Sequence, residues 1–327
     1  MTIAFTICSV NYLAQARTLG DSLQTTNPDL QYFVGLVDRL DGVTFEPGYE
    51  PNYPLVEVHT IGIKNFAGMC DRYNITELNT AVKPFFFSYF FKKHPEAEKV
   101  IYFDPDIIVF QPLTRLLGHL DHHETVLTPH LCTPIEDQKT PNELNHLNTG
   151  VYNLGFCAFR RSDDVLSYVK WWEEKLRYEC LIALCDGLFV DQNWMNFLPL
   201  FIKNTFIEKH RGHNAAYWNL HERYFSKKAD KFVINDKQSL IFFHYSGYDP
   251  RRSELISKYQ DRFTFDERSD LVELFAIYHD RLVQNGNEYY RQFPCRYIKP
   301  EKIYKYVRVR KALIVPLRKL VAALDTH

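Results

Sequence analysis

Asp104 and Asp106, separated by Pro105 and flanked by the apolar runs Val100–Phe103 and Ile107–Phe110, are the residues of this 327-residue chain whose types and spacing most invite chemistry. An unpaired carboxylate in an apolar core is costly or becomes neutral, so both acids belong where a strand meets a cleft or a cation. Pro105 biases Asp104 towards extended geometry and has no amide hydrogen, which should end the strand there. Side chains two apart on extended backbone point the same way. That arrangement suits a hard divalent ion that completes its shell with substrate phosphates and water. The same spacing also occurs as ordinary turn chemistry at a strand end.

Other polar groups follow apolar runs in the same manner. Ser9, Asn11 and Tyr12 lie at the end of Ile3–Val10, and Asp38 closes Tyr32–Val37. Asn74 with Glu77 forms a capping pattern for a helix that Pro84 must kink or restart, with Lys83 at the break. Gly150 and Gly155 permit close backbone approach beside a buried strand that carries Asn153. This glycine segment has neither the Gly-Lys-Ser/Thr ending nor the Gly-x-Gly-x-x-Gly turn of nucleotide-phosphate loops. Asp191 and Gln192 open the apolar run Trp194–Phe201, where Asp191 could equally be a helix cap. His244 follows Ile241–Phe243, with Gly247 three residues on.

Taken in chain order, the Asp-x-Asp, Asn-x-Gly, Asp-Gln and His-x-x-Gly segments resemble those of A-type-fold glycosyltransferases, in particular the retaining family 8 group, over roughly residues 1–250. The resemblance implies that Asp104, Asp106 and His244 hold Mn2+ or Mg2+ against the diphosphate of a nucleotide-sugar donor. An imidazole ligand favours Mn2+. It further implies that Ser9, Asn11, Tyr12, Asp38, Lys83, Asp104 and Gly247 line the donor, and that Asn153, Asp191 and Gln192 surround the reacting sugar carbon. The expected reaction is transfer of a hexosyl group, from UDP by preference, to a glycan or lipid-linked acceptor with retention. Where the family continues with Lys-Pro-Trp, this chain has Tyr248-Asp249-Pro250. A sugar-phosphate nucleotidyltransferase is an alternative, although the Gly- and Arg-rich loop of that class is absent after the first strand. A nucleotide-sugar-binding protein without turnover is another.

These residues require a scaffold, and the periodicity supplies one. Ile3–Val10, Tyr32–Val37 and Leu55–Ile61 read as strands, while Leu13–Leu23 has helical spacing, so strands alternate with helices. The fold class expected is α/β: a single Rossmann-like, mostly parallel sheet flanked by helices, with a helical appendage. Ligands of such sheets bind beyond the carboxyl ends of the strands. The division expected is a catalytic domain over 1–250 and a helical C-terminal region over 251–327. Gly118–Leu147, polar and rich in histidine, reads as a solvated loop over the cleft; zinc is disfavoured because nothing completes four ligands around His119 and His123. His210–Arg223 suits sugar recognition, or else a buried polar network.

Composition is that of a folded soluble protein, with 46% hydrophobic and 24% charged residues, and 25 Phe with 21 Tyr point to aromatic packing. Seven cysteines without Cys-x-x-Cys spacing argue for reduced, mostly buried thiols and a cytoplasmic compartment. No apolar run reaches the ~18 residues of a membrane span. Residues 291–327 hold ten Lys and Arg against two acids, a charge of +8 in a chain whose net charge is -1. On a helix, Leu313, Leu317, Leu320, Val321 and Leu324 would share one arc, an arrangement suited either to peripheral attachment at an anionic membrane surface or to docking on the protein's own core, although Pro316 and Arg310 count against one smooth helix. No feature points to nucleic acid.

Overall fold

Each apolar run ahead of a motif forms a strand: β1 (Thr2–Cys8), β2 (Gln31–Leu36), β3 (Leu55–Glu57), β4 (Lys99–Phe103), β5 (Ile107–Val109), β6 (Thr125–Pro129) and β7 (Tyr152–Arg160). The computed structural model describes residues 1–298 and Pro316. The residues of the tail's apolar arc, Leu313, Leu317, Leu320, Val321 and Leu324, lie outside these residues. Among the described residues, no helix is long and apolar enough to cross a membrane.

The central sheet runs from Thr205–Ile207 through β6, β7, β4, β1 and β2 to β3. β1 is parallel to both β2 and β4, while β7 is antiparallel to both β4 and β6. The fold is therefore the expected α/β class, a mixed and mostly parallel sheet flanked by helices. Burial on both faces explains why β1 and β4 read as continuous apolar runs rather than alternating ones. On one face Phe5 meets Phe87 and Phe90 of the helix Lys83–Lys93, with ring centroids 4.9 and 5.0 Å away. On the other, Ala14, Leu19 and Leu23 of the helix Leu13–Thr26 are buried beneath β1 and β2.

The helix signals act where the sequence puts them. Asn74 accepts from the Glu77 amide at 3.0 Å, and Glu77 accepts from the Asn74 amide at 2.9 Å, closing a capping box on the helix Ile75–Ala81. Pro84 then restarts the chain as the separate helix Lys83–Lys93, in whose first turn its missing amide hydrogen costs nothing.

Elsewhere the structure departs from the pattern. Gly118–Leu147 is not a loop over the cleft, because it includes the end of the helix Thr114–His122, all of β6 and much of the helix Glu143–Thr149. β6 escapes a periodicity reading because its Thr125 and Thr128 are buried along with Val126 and Leu127. Thr125 satisfies its hydroxyl by donating to Thr205 Oγ1 at 2.8 Å on the next strand. Leu55–Ile61 pairs with β2 only as far as Glu57, since Val58–Thr60 coils into a turn of 3-10 helix. Cys8, Cys157 and Cys180 are buried, but Cys70, Cys132 and Cys295 are only partly so and Cys185 is exposed.

Met1–Tyr297 form one compact unit, and residues beyond 250 return to the first helix. Gln15 donates to Asn287 at 3.0 Å, and Asn285 donates to Thr18 at 2.9 Å. Leu274, Phe275, Tyr278 and Leu282 bury one side of the helix Val272–Gln284.

The histidines of 118–147 have structural surroundings. His119 stacks on Phe206 with centroids 3.7 Å apart and faces Glu208, while His130 and His146 stack on each other at 4.5 Å. Burial pushes His146 down to about 4, and neither of its ring nitrogens has a hydrogen-bond partner. Its folded pKa thus lies below that of the unfolded chain, so the unfolded state takes up the proton first as pH falls. Stability attributable to His146 should be intact above about pH 6.5 and decline towards pH 4, by up to about 3 kcal/mol. Urea midpoints of wild type and His146→Gln at pH 7 and pH 5 test this. A difference between the two proteins that stays constant across that interval would refute it.

Candidate active site

Strand pairing builds the acidic cluster from segments far apart in sequence. β4 leaves the central sheet at Phe103, the chain turns through Asp104-Pro105-Asp106, and β5 enters a second, three-stranded sheet. There it pairs antiparallel with Phe242–His244, in a register that sets His244 opposite Ile107. The Tyr245 amide donates to the Asp106 carbonyl at 2.8 Å, which locks the imidazole beside the turn. Across the other edge, the Asp104 amide donates to the Gly155 carbonyl of β7 at 2.7 Å.

His244 Nε2 lies 3.0 Å from Asp106 Oδ1 and 3.6 Å from Asp104 Oδ2. Ligand atoms of all three residues fall within 4.8 Å of one another, and they form the one such acidic and imidazole trio among the described residues. His244 is buried, whereas the two carboxylates remain 30% and 24% exposed and so open to a substrate. Two carboxylate oxygens and an imidazole nitrogen, converging and accessible from one side, fit a divalent cation. Burial raises the pKa of Asp104, Lys83 and His244 work against that, and Asp106 adds to it. For His244 burial works against the charged form, but Asp106 and Asp104 prevail and its pKa rises.

Gly155 makes this approach possible. A Cβ at that position would stand 2.3 Å from His244 Cε1 and 2.6 Å from its Nδ1. Gly155→Ala should therefore displace the imidazole and weaken Mn2+ binding by at least about tenfold, with an overpacking cost of about 1–3 kcal/mol. Electron paramagnetic resonance titration of Mn2+ reads the first effect. Unaltered Mn2+ affinity would show that His244 is not a ligand.

Behind the acids lies a buried polar wall. The Lys83 ammonium forms an ion pair with Asp191, and the two side chains are 1% and 2% exposed. It also donates to the Leu154 carbonyl at 2.8 Å and sits 4.1 Å from the centroid of Tyr102. Burial disfavours its charge, but Asp191 and Asp104 outweigh that, so its pKa is raised and it stays protonated. Burial also pushes the Asp191 carboxyl up, with Lys83 opposing. Tyr102 ties this wall to the acidic turn by donating to Asp104 Oδ1 at 2.6 Å.

Gln192 accepts from the Leu154 amide at 3.0 Å and donates to the Thr149 carbonyl at 2.7 Å. Asn153 accepts from the Gly155 amide at 3.1 Å and from Asn214 Nδ2 at 3.0 Å, with its own Nδ2 3.2 Å from His130 Nε2. Asn153, Asp191 and Gln192 are thus brought together, all buried and held from within.

Ser9, Asn11 and Tyr12 follow β1 and Asp38 follows β2, on the carboxyl-end rim. Ser9 is buried, accepting from Asn79 at 3.3 Å, whereas Tyr12 is 47% exposed. Asp38 Oδ1 accepts backbone hydrogens from Arg39 and Arg296, both at 3.0 Å. Gly247 has φ of 76°, and a Cβ there would stand 2.4 Å from Ser257 Oγ and 2.6 Å from Tyr259.

His210–Arg223 is mainly a buried network. His213, Asn214, Asn219 and Arg223 are at most 2% exposed, and Asn219 Nδ2 donates to the carbonyls of His130 and Asn214. Trp218 stands edge-on to His244 with centroids 5.2 Å apart. His130, which orients Asn153, and Tyr102, which orients Asp104, carry no signal in the sequence that sets them apart from neighbouring histidines and tyrosines.

No family model matches this chain. In sequence it is similar to YfnF of Bacillus subtilis (strain 168), 26% identical over 250 residues that cover 76% of this chain and 82% of YfnF. It is also similar to YfnD of the same organism, 25% identical over 170 residues covering 51% of this chain and 52% of YfnD. Both relatives are described as uncharacterized proteins. Among solved structures it is similar to the galactosyltransferase LgtC in complex with donor and acceptor sugar analogues, at 16% identity and a TM-score of 0.49, covering 86% of this chain and 95% of that one. The glycosyltransferase GlyE of Streptococcus pneumoniae TIGR4 is similar at 15% identity and a TM-score of 0.46, covering 90% and 66%.

Proposed function

We propose that this protein is a metal-dependent glycosyltransferase that moves a hexosyl group from a nucleotide-diphosphate donor to a glycan or lipid-linked acceptor with retention. The observation that carries this reading is the convergence of Asp104, Asp106 and His244, with Lys83–Asp191, Gln192 and Asn153 directly behind them. A divalent ion held by the trio would neutralise charge developing on the leaving diphosphate. Asp104 and Asp106 orient towards the cleft, and Tyr102 fixes one Asp104 oxygen. His244, losing its Nε2 proton as the ion binds, would offer that lone pair to the same point.

Asp191 supports retention. An inverting enzyme needs a carboxylate that can take a proton from the acceptor hydroxyl, within hydrogen-bond reach of it. Asp191 is instead buried and answered by Lys83, an arrangement suited to stabilising charge beside the sugar rather than accepting a proton. The preference for UDP and for a glycan or lipid-linked acceptor rests on the likeness of motifs alone.

A nucleotide-release assay across UDP-, GDP- and CDP-sugars, with Mn2+ or with chelator, tests the activity. Release of a nucleoside diphosphate that chelator suppresses is expected, and an NMR spectrum of the first product should show the donor's own anomer. With pyrophosphate added, release of a sugar phosphate together with a nucleoside triphosphate would point to nucleotidyl transfer. Binding without release would leave a nucleotide-sugar-binding protein. The opposite anomer would reassign Asp191 as the base.

A further inference from the structure

A charge count at the proposed donor site leaves one requirement unmet. Two carboxylates and a divalent ion balance each other, so the diphosphate of a nucleotide donor would still need a cation at the mouth of the cleft. Lys83 cannot supply it, being 1% exposed and engaged by Asp191 and the Leu154 carbonyl. Arg251 and Arg291 lie near the mouth and line a cavity of about 390 Å³ with Asn11, Tyr12 and Glu288. Both are answered by Asp249, at 3.2 and 3.1 Å.

Lys258 differs. Among the described residues no carboxylate pairs with it, and its ammonium lies 4.9 Å from the centroid of Tyr259. Its amide donates to the Gly247 carbonyl at 3.1 Å, three residues beyond His244. The left-handed backbone of Gly247 and the close seating of Ser257 and Tyr259 against it anchor the segment to that loop. The Tyr259 ring lies 6.2 Å from that of Tyr217, and the next residue, Trp218, stands 5.2 Å from the His244 ring.

We propose that Lys258, held on the Gly247 loop, is the cation that binds the diphosphate oxygens of the donor. This rests on the donor reading above and extends it to a residue beyond the motifs that resemble known enzymes. A flexible ammonium over an aromatic face, with no acid to release first, is suited to closing on a phosphate as it arrives.

Calorimetric binding of UDP, uridine and inorganic pyrophosphate in the presence of Mn2+ tests the proposal on wild type, Lys258→Met and Lys258→Arg. A charge-assisted contact predicts that Lys258→Met weakens UDP and pyrophosphate by about tenfold or more, leaves uridine unchanged, and is largely rescued by Lys258→Arg. UDP and pyrophosphate affinities within twofold of wild type would overturn the assignment of Lys258 alone. Equal losses for UDP and uridine would also overturn it, by showing a structural role. Failure of wild type to bind either UDP or pyrophosphate with Mn2+ would instead remove the donor reading itself.

Discussion

Asp106→Ala should abolish donor turnover while leaving the fold intact. Asp106 Oδ1 stands 3.0 Å from His244 Nε2, closer to the imidazole than Asp104 at 3.6 Å, and its side chain is 24% exposed. Without it, one carboxylate and one imidazole remain, too few anchored ligands to hold a divalent ion at a fixed point against a diphosphate. Electrostatic stabilisation of a leaving group is worth several kcal/mol in a partly desolvated cleft, so a fall of at least about a thousandfold in kcat/KM is expected. Removing Asp106 relieves a like charge that raises Asp104 but takes the nearest acid from buried His244, so a folding check by circular dichroism accompanies the assay. Full sugar transfer by this variant, or by wild type in excess chelator, would sink the metal assignment.

Lys83→Ala should act chiefly on stability. The ammonium and the Asp191 carboxylate are both buried, so deleting the lysine strands a carboxylate and leaves the Leu154 carbonyl without its donor. Breaking a buried pair from one side costs about 3–5 kcal/mol, whereas removing both charges is often near neutral. Lys83→Met combined with Asp191→Asn should therefore recover much of the stability lost in Lys83→Ala, though not activity.

The pH dependence has a definite sign. The folded pKa of Lys83 lies above its ordinary value of 10.5, so its stabilisation is complete below that pH and fades as pH rises through the folded value. The gap between wild type and Lys83→Ala should be widest near neutrality and narrow at strongly alkaline pH. Denaturant midpoints measure it. A loss under about 1 kcal/mol would mean that Asp191 is hydrated rather than sealed behind the acids.

The sequence by itself determined the parts whose causes are local. The end of β4 at Asp104-Pro105-Asp106 follows from a proline next to acids that resist burial. The Asn74–Glu77 capping box follows from two side chains three residues apart, and the restart at Lys83 from the ring of Pro84. The α/β class follows from apolar strands alternating with amphipathic helices. Each of these depends on neighbours along the chain.

Only the tertiary structure decided how the distant segments meet. β6 was invisible as a strand because its buried threonines are satisfied by distant residues, Thr125 by Thr205 and Thr128 by Asn214, 80 and 86 residues away. Lys83 read as a candidate phosphate contact, and nothing near it in sequence reveals that Asp191 answers it inside the protein. His244 comes within 3.0 Å of Asp106 through the register of Phe242–His244 against β5, and through the missing side chain at Gly155 on a third strand. Register and close packing are set by which faces are buried together and how much volume each leaves, and these quantities do not exist until the sheet has assembled.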